Sequence, residues 1–164
     1  MVLDLKTEFS KLQINQIDNV YKDIKKQAAV LEAVYGFPKF SFMEENTHNC
    51  IYRGKQSEVT LLIGFSRVFN MQFELVQWIK GESIQKEFIE NGKEGFFCNS
   101  VYVVDLHSYL DQLENLGIKI LQKGVIHRTE YAYLDTKETL GITLEFQEQF
   151  PRKQLKERLA LYDF

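Results

Sequence analysis

The stretch FELVQWIKGESIQKEFIENGKEGFFCNSVYVVDL, residues 73–106, contains the end of one repeated unit and the start of the next. Its first residues place Glu74 between bulky apolar neighbours, which is typical of a strand with one apolar and one polar face. Its last residues alternate in the same way and run into Asp105, a residue type that often caps the N-terminus of a helix. The stretch therefore predicts one strand that closes a unit and a strand–helix pair that opens another.

The same order of elements occurs in both halves of the chain. The patterns predict helices over residues 23–36 and 105–117, and both begin at an aspartate and end at a glycine, as helix capping favours. Three strand candidates follow each helix, at 39–43, 58–68 and 71–78 in the first half and at 119–123, 129–135 and 141–147 in the second. The repeat predicts an α+β fold of two tandem βαβββ modules.

These modules cover about residues 12–78 and 95–148, and we expect a single domain over residues 1–150. The sequence that follows, PRKQLKERLALYDF, begins with Pro151 and carries an apolar stripe. Because proline is favoured in the first helical turn, residues 151–164 are predicted to form an added C-terminal helix.

Four polar positions correspond to one another in the two modules. Gln16 and Cys98 each lie seven residues before the aspartate that caps the helix, and Glu74 and Glu145 lie in the closing strands. Strand alternation turns these side chains away from the helices, onto a polar face that also carries Asp18. One interpretation is purely architectural, in which the duplication only builds a core. The other is a curled sheet around a polar site for a cation or substrate.

At these residues the chain resembles the vicinal oxygen chelate superfamily, which includes glyoxalases, bleomycin-resistance proteins and extradiol dioxygenases. It is closest in appearance to the methylmalonyl-CoA epimerase and glyoxalase-like branch. The resemblance rests on the 73–106 stretch, on QIDNVYKDI near the N-terminus and on YAYLDTKETLGITLEF near the C-terminus. It implies a curled mixed sheet around a central cleft, the glyoxalase/bleomycin resistance/dioxygenase fold.

The resemblance also implies a metal site. Its four ligand positions correspond to Gln16, Glu74, Cys98 and Glu145, and they imply one divalent ion, such as Zn, Mn, Ni, Co or Fe. Cys98 departs from the family pattern, which has histidine there, so the site is altered and either keeps a metal or has lost it. A buried cysteine acting as a small apolar residue is the alternative for Cys98.

Two functions follow from the resemblance. The first is an isomerase, epimerase or lyase that abstracts a proton next to a carbonyl of a small oxygenated or thioester substrate, with Glu145 and Glu74 as catalytic residues. The second is a metal-free protein that sequesters a small molecule, as bleomycin-resistance proteins do.

Four further residues are candidates for contact with a small-molecule substrate. Tyr102, Tyr131 and Tyr133 lie on strands expected to line the cleft, and His127 precedes one of them. The alternatives are packing for the tyrosines and an ordinary surface position for the histidine. His48 is expected in a loop over the cleft.

Composition limits the partners. The net charge is −3 with both signs interspersed, so nucleic acid is not expected as a partner, and the apolar runs are too short for a membrane span. Two cysteines and a start without a signal-like run predict a cytoplasmic protein. A homodimer is expected, and the sequence leaves open whether the modules pair within one chain or between subunits.

Overall fold

The computed structural model describes residues 4–162 of the 164-residue chain and contains both predicted modules. Nine strands are present: β1 Gln16–Val20, β2 Ser41–Phe42, β3 Asn46–Tyr52, β4 Lys55–Val68, β5 Met71–Lys80, β6 Gly95–Tyr102, β7 Ile120–Ile126, β8 Thr129–Leu134 and β9 Leu144–Gln149. The helices are α1 Leu5–Phe9, α2 Ile24–Tyr35, α3 Ile84–Glu90, α4 Leu106–Asn115, α5 Lys137–Leu140 and α6 Leu155–Ala160, with a 3₁₀ turn at Arg152–Gln154 before α6.

All nine strands belong to one mixed sheet that curls into a barrel. The strand order is β2-β4-β3-β7-β8-β9-β6-β1-β5, and an additional β4–β5 pairing closes it. The modules meet at two seams, β1 with β6 and β3 with β7, both antiparallel. Because both seams join strands of the same chain, the cleft is formed within one chain. The predicted curled sheet of two βαβββ modules is confirmed.

Helix capping explains why α2 and α4 begin where the sequence predicts. The Asp23 side chain accepts a hydrogen bond from the Lys26 backbone N–H at 3.0 Å, and Asp105 accepts one from that of Ser108 at 3.3 Å. At the other end of α2, Gly36 has φ +66°, a left-handed conformation that glycine adopts without strain. The two helices therefore start at equivalent places relative to the strands before them.

Both helices cover the apolar faces of the closing strands. Ile24 and Ala28 of α2 pack with Leu75 of β5, whereas the buried face of α4 packs with Leu144 and Phe146 of β9. Strand side chains alternate, so the neighbouring residues of β5 and β9 must point into the barrel. The helix packing thereby turns Glu74 and Glu145 inward.

The structure differs from the sequence predictions between the first helix and the 58–68 strand. Strand β3, residues 46–52, takes up most of the segment 44–50 that we expected to form a loop over the cleft, and the predicted 39–43 strand is reduced to the two residues of β2. The β3 sequence NTHNCIY lacks an apolar face, and only Cys50 in it is fully buried. Its position comes from pairing with β4 and β7, which a local pattern does not reveal.

The predicted C-terminal helix is present as a short one. It packs through Leu155 against Phe150, and Arg158 forms ion pairs at 2.7 Å with both Glu130 and Glu148. The last predicted residues, 163–164, lie outside the described residues. Within residues 4–162, no helix combines the length and hydropathy needed to cross a membrane.

Candidate functional site

The barrel encloses a cavity of about 520 Å³ that has a polar floor and an apolar wall. The floor includes Gln16, Glu74, Glu145 and Gln147. The wall includes three β4 side chains, Leu61, Ile63 and Phe65. A pocket of this size, with a few converging polar groups on an apolar surface, is typical of a small-molecule site.

Strand register places the predicted ligand positions around a pseudo-twofold axis. In the β1–β6 pairing, Gln16 lies opposite Ser100 and Asp18 lies opposite Cys98. A rotation that exchanges the two strands therefore exchanges Gln16 with Cys98 and Asp18 with Ser100. This is the correspondence that the count from the helix caps predicts.

The closing strands obey the same symmetry. β5 runs parallel to β1 with Glu74 beside Asp18, and β9 runs parallel to β6 with Glu145 beside Ser100. Glu74 and Glu145 are thus equivalent positions of the two modules. Both line the cavity and both are buried, at 7% and 3% exposure.

One side of the floor is organised by Gln16. Its side-chain N–H donates to Glu74 Oε2, and its Oε1 accepts from Gln147 Nε2 at 3.3 Å. Tyr102, a predicted substrate residue, donates its hydroxyl to Gln72 Oε1 at 2.7 Å and lies 3.4 Å from Gln16 Oε1. The Gln16 amide therefore holds the Glu74 carboxyl group in place, and Tyr102 lies over the same side of the floor.

The other side of the floor is a second hydrogen-bonded group. The Ser100 hydroxyl lies within hydrogen-bonding distance of both Asp18 Oδ2 and Glu145 Oε2, and Gln147 Nε2 donates to Glu145 Oε2 at 2.8 Å. One hydroxyl proton can serve only one carboxylate at a time. The contact between Ser100 and the two carboxyl groups therefore calls for a shared proton or a bound cation.

Burial shifts all three carboxyl pKa values in the same direction. The pKa of Asp18 lies well above its usual value because of burial and the nearby charge of Glu145. The pKa of Glu74 is also well above its usual value, because of burial and then of the charges of Asp18 and Glu145. The Glu145 pKa is raised by burial, and hydrogen bonds from Ser100 and Gln147 oppose that rise.

Within residues 4–162, no cationic side chain forms an ion pair with this cluster. The ion pairs found in residues 4–162 involve other acidic residues, and none reaches Asp18, Glu74 or Glu145. Three buried carboxyl groups without a positive partner cannot all be charged at low cost. They hold protons, or they hold a cation.

Cys98 lies beside this cluster but does not line the cavity. Its side chain is fully buried and packs with Ile84, Tyr131 and Tyr133. Its thiol donates to Asp18 Oδ2 at 3.1 Å, and burial together with the Asp18 charge raises the pKa of the thiol well above its usual value. The role of Cys98 as a metal ligand stays a prediction.

Tyr133 connects the wall of the cavity to the floor. The Gln85 side-chain N–H donates to the Tyr133 hydroxyl at 3.2 Å, and the hydroxyl in turn donates to Glu145, which lowers the Glu145 pKa. Tyr133 is buried and lines the cavity, as the sequence predicts for a substrate residue. It can therefore both contact a bound molecule and orient Glu145.

Tyr131 is held by residues behind the wall. Its hydroxyl lies 2.8 Å from His48 Nε2 and 3.2 Å from the donor Gln122 Nε2. Burial and the neighbouring His127 lower the pKa of His48 to about 4, so this imidazole is neutral near pH 7 and its Nε2 can accept a hydrogen bond from the Tyr131 hydroxyl. The expected loop position of His48 is wrong: it lies on β3. His127 is exposed at the β7–β8 turn and lines the cavity.

The sequence places Asp18 on the polar face, but it was not predicted as a site residue, and neither were Ser100 and Gln147. Each lies two residues from a predicted ligand position, on the same face of its strand. That alternation is the signal that could have found them.

A divalent cation suits the side chains of this floor. The oxygens available are those of the Glu74 and Glu145 carboxylates and the Gln16 amide, which line the cavity, and those of the Asp18 carboxylate, which is buried next to them. Ligand atoms of Asp18, Cys98 and Glu145 lie within 4.8 Å of one another. Asp18 Oδ1 is buried and has no hydrogen-bond partner within residues 4–162, which leaves one carboxylate oxygen available to a ligand.

Known proteins resemble this chain in structure but not detectably in sequence. No protein-family model matches the sequence, and no curated protein matches it. Hypothetical protein BH1468 from Bacillus halodurans C-125 has a TM-score of 0.58 and 17% identity, covering 85% of this chain and 96% of that one.

Two epimerase structures are similar to the same degree. Methylmalonyl-CoA epimerase from Mycobacterium tuberculosis has a TM-score of 0.58 and 15% identity over 85% of this chain and 89% of its own. A Streptomyces coelicolor methylmalonyl-CoA epimerase variant in complex with 2-nitronate-propionyl-CoA has a TM-score of 0.57 and 14% identity over 85% of this chain and 98% of its own. These similarities confirm the predicted vicinal oxygen chelate fold, and at such identities they establish the fold alone.

Proposed function

We propose that this protein is a divalent-metal-dependent isomerase, epimerase or lyase that moves a proton next to a carbonyl group. The observation that carries the proposal is the cluster of three buried carboxyl groups, Asp18, Glu74 and Glu145, which has no cationic partner in residues 4–162 and opens through the two glutamates into the cavity. A cluster of this kind is costly to fold, so a role for it in binding or catalysis is favoured.

Similar solved structures support an epimerase-like reaction. Several are methylmalonyl-CoA epimerases, and one is a complex with methylmalonyl-CoA. A thioester is therefore the first substrate class to test. The apolar β4 side chains of the cavity wall suit an acyl group, and the wall would keep water from a reactive enolate.

The residues of the floor have separate roles in this proposal. A bound divalent cation would polarise the substrate carbonyl, and the oxygens of Asp18, Glu74, Glu145 and Gln16 would hold it. Glu74 and Glu145 lie on the two sides of the pseudo-twofold axis, so one can remove a proton and the other can return one from the other side.

Hydrogen bonds from the surrounding side chains orient both glutamates. Gln16 donates to Glu74, while Tyr133 and Gln147 donate to Glu145. Fixed donors keep the carboxylates in place while the substrate moves, which is how enzyme sites reduce reorganisation.

Deuterium exchange at the substrate tests this function. The protein is incubated in D₂O with methylmalonyl-CoA and related acyl thioesters, with Mn²⁺, Mg²⁺, Zn²⁺, Ni²⁺ or Co²⁺ added in turn, and mass spectrometry follows deuterium at the carbon next to the carbonyl. We expect exchange above the protein-free rate, reduced about 10²–10⁴-fold in Glu145→Gln or Glu74→Gln. Glu138→Gln, at an exposed residue of α5, is the matched control and should keep full exchange. Exchange that survives both active-site substitutions would remove the glutamates from the mechanism.

A second candidate function is metal-free sequestration of a small molecule, as in bleomycin-resistance proteins. Its supporting observation is that the floor is partly satisfied without a metal, since Ser100 and Gln147 bond Glu145, and Cys98 donates to Asp18. A thermal-shift screen of aromatic and amphipathic compounds in the presence of EDTA separates the two functions. Stabilisation by a compound in EDTA favours sequestration, and its complete loss in EDTA excludes it.

The remaining expectations also belong to this proposal. We propose one domain over residues 1–150 followed by the C-terminal helix, in a cytoplasmic homodimer. Light scattering coupled to size-exclusion chromatography measures the mass in solution, and a mass near the monomer value of 19.3 kDa would contradict the dimer.

A further inference from the structure

We infer that Asp18, and not Cys98, completes the cation site, which makes it an all-oxygen site suited to hard ions such as Mg²⁺ and Mn²⁺. The inference rests on the proposed function, because it supposes that the cavity floor holds a divalent cation. The inference replaces one predicted ligand, Cys98 on β6, with its neighbour across the strand pair, Asp18 on β1.

The position of Asp18 between the two closing carboxylates supports the exchange. β1 lies between β5 and β6, with Asp18 beside Glu74 on one strand and opposite Cys98 on the other. Asp18 is 1% exposed, and its Oδ2 shares the Ser100 hydroxyl with Glu145. Asp18 thus lies next to both predicted carboxylate ligands, Glu74 and Glu145.

The second Asp18 oxygen is an independent observation that points to a ligand. Oδ1 is buried and has no hydrogen-bond partner in the described part of the chain, residues 4–162. An unpaired buried carboxylate oxygen destabilises the fold, because it has lost its hydration and gained no partner in exchange. A cation bound at this oxygen would remove that cost and would offset most of the negative charge of Asp18, Glu74 and Glu145.

Cys98 lies within 4.8 Å of ligand atoms of Asp18 and Glu145, but its surroundings favour a protonated thiol over a metal-bound thiolate. Its sulfur already donates to Asp18 at 3.1 Å, and its other neighbours are Ile84, Tyr131 and Tyr133. A thiolate there would be a fourth anion in a cluster that contains no cationic side chain, whereas the protonated thiol supports Asp18 as a hydrogen-bond donor. Cys98 thus acts on the site through Asp18, as a positioning residue.

The donor set then determines which ions the site suits. Three carboxylates and the Gln16 amide carbonyl are the ligand types that Mg²⁺, Mn²⁺ and Ca²⁺ prefer, whereas a thiolate would give Zn²⁺ a large advantage. Without the thiolate, Zn²⁺ retains only the smaller advantage that it has over Mn²⁺ at any oxygen site.

Two isosteric substitutions separate the ligands. Protein stripped with a chelator is titrated with Mn²⁺ and with Zn²⁺ by isothermal calorimetry, for the wild type, Asp18→Asn and Cys98→Ser. We expect Asp18→Asn to weaken Mn²⁺ binding by about 100-fold or more, because loss of an outer-shell partner alone costs about 10–100-fold and Asp18 would bind the ion directly. Cys98→Ser keeps a hydroxyl donor for Asp18, so it should change the affinity less than about 10-fold and leave the Zn²⁺ to Mn²⁺ ratio nearly unchanged. Circular dichroism confirms that each variant is folded.

Cobalt absorption on the wild type provides a readout that needs no variant. A thiolate ligand gives Co²⁺ an intense near-ultraviolet charge-transfer band, and we expect none here. Two results would overturn the inference and leave the metal-dependent function intact. One is the appearance of this band in the Co²⁺ protein. The other is loss of metal binding in Cys98→Ser while Asp18→Asn still binds the metal. If the wild type binds none of the added ions, both the inference and the metal-dependent function are overturned. This result is distinct from the first, because it is already evident in the wild type without any variant.

Discussion

The acidic floor predicts an unusual pH dependence for the stability of the metal-free protein. A carboxyl group whose pKa is raised in the folded state binds its proton more tightly there than in the unfolded chain. Its contribution to stability is complete below the unfolded pKa, near 4, and is lost as the pH rises through the folded pKa. In EDTA, the protein should therefore be less stable at pH 7 than at pH 5. Asp18→Asn should reduce this dependence, because it removes one of the three groups.

The size of the effect follows from proton linkage. Between the unfolded and folded pKa values, each raised carboxyl group destabilises the protein by about 1.4 kcal/mol per pH unit. For a chain of 164 residues this corresponds to about 3–6 °C in melting temperature per pH unit. Asp18→Asn should lower the slope by at least this amount. It should also stabilise the metal-free protein at pH 7, because the Asp18 charge helps to raise the Glu74 pKa.

Urea denaturation between pH 5 and pH 8 in EDTA measures these slopes. Asp111→Asn, at an exposed residue of α4, is the matched control and should have the slope of the wild type. The same slope for the wild type and Asp18→Asn would refute the argument, since it would mean that Asp18 is not buried among charges in solution.

Three further predictions concern other parts of the chain. Arg158→Met removes the arginine from the buried Glu130, which keeps its contact with His107, and should cost about 3 kcal/mol in unfolding free energy. Arg53→Met breaks an exposed pair with Glu87 and should cost under about 1 kcal/mol; equal costs would contradict this. Gly124→Ala would place a Cβ 2.9 Å from the Tyr131 hydroxyl and should destabilise the protein by about 1–3 kcal/mol in urea. NMR titration should give His48 a pKa of about 4, and a value near 6.5 would show that the half-buried imidazole is hydrated and not held against Tyr131.

Much of the fold could be predicted from the sequence because helix capping and strand alternation, which depend on neighbouring residues, determine where its main helices and strands lie. Asp23 and Asp105 cap equivalent helices, and this fixes the register in which Gln16 and Cys98 correspond. Strand β3 could not be predicted in this way. Its polar residues form a strand because they pair with β4 and β7. The pairing with β7, which is distant in sequence, produces no local pattern.

The site was predictable in part for a similar reason. The count from the helix caps identifies one residue in each opening strand, and it therefore found Gln16 but not Asp18. Asp18 becomes important only when the side chains are packed, because its carboxyl group lies between those of two strands distant in sequence. Likewise, the donation from Cys98 to Asp18 is a contact between strands and cannot be read from either sequence segment.

The most direct test of the metal-site account is a crystal structure of the protein grown with Mn²⁺, with diffraction data collected for anomalous scattering. The account predicts one anomalous peak per chain on the cavity floor, within coordination distance of carboxylate oxygens of Asp18, Glu74 and Glu145. A floor without a peak, at Mn²⁺ concentrations that saturate other manganese proteins, would contradict it.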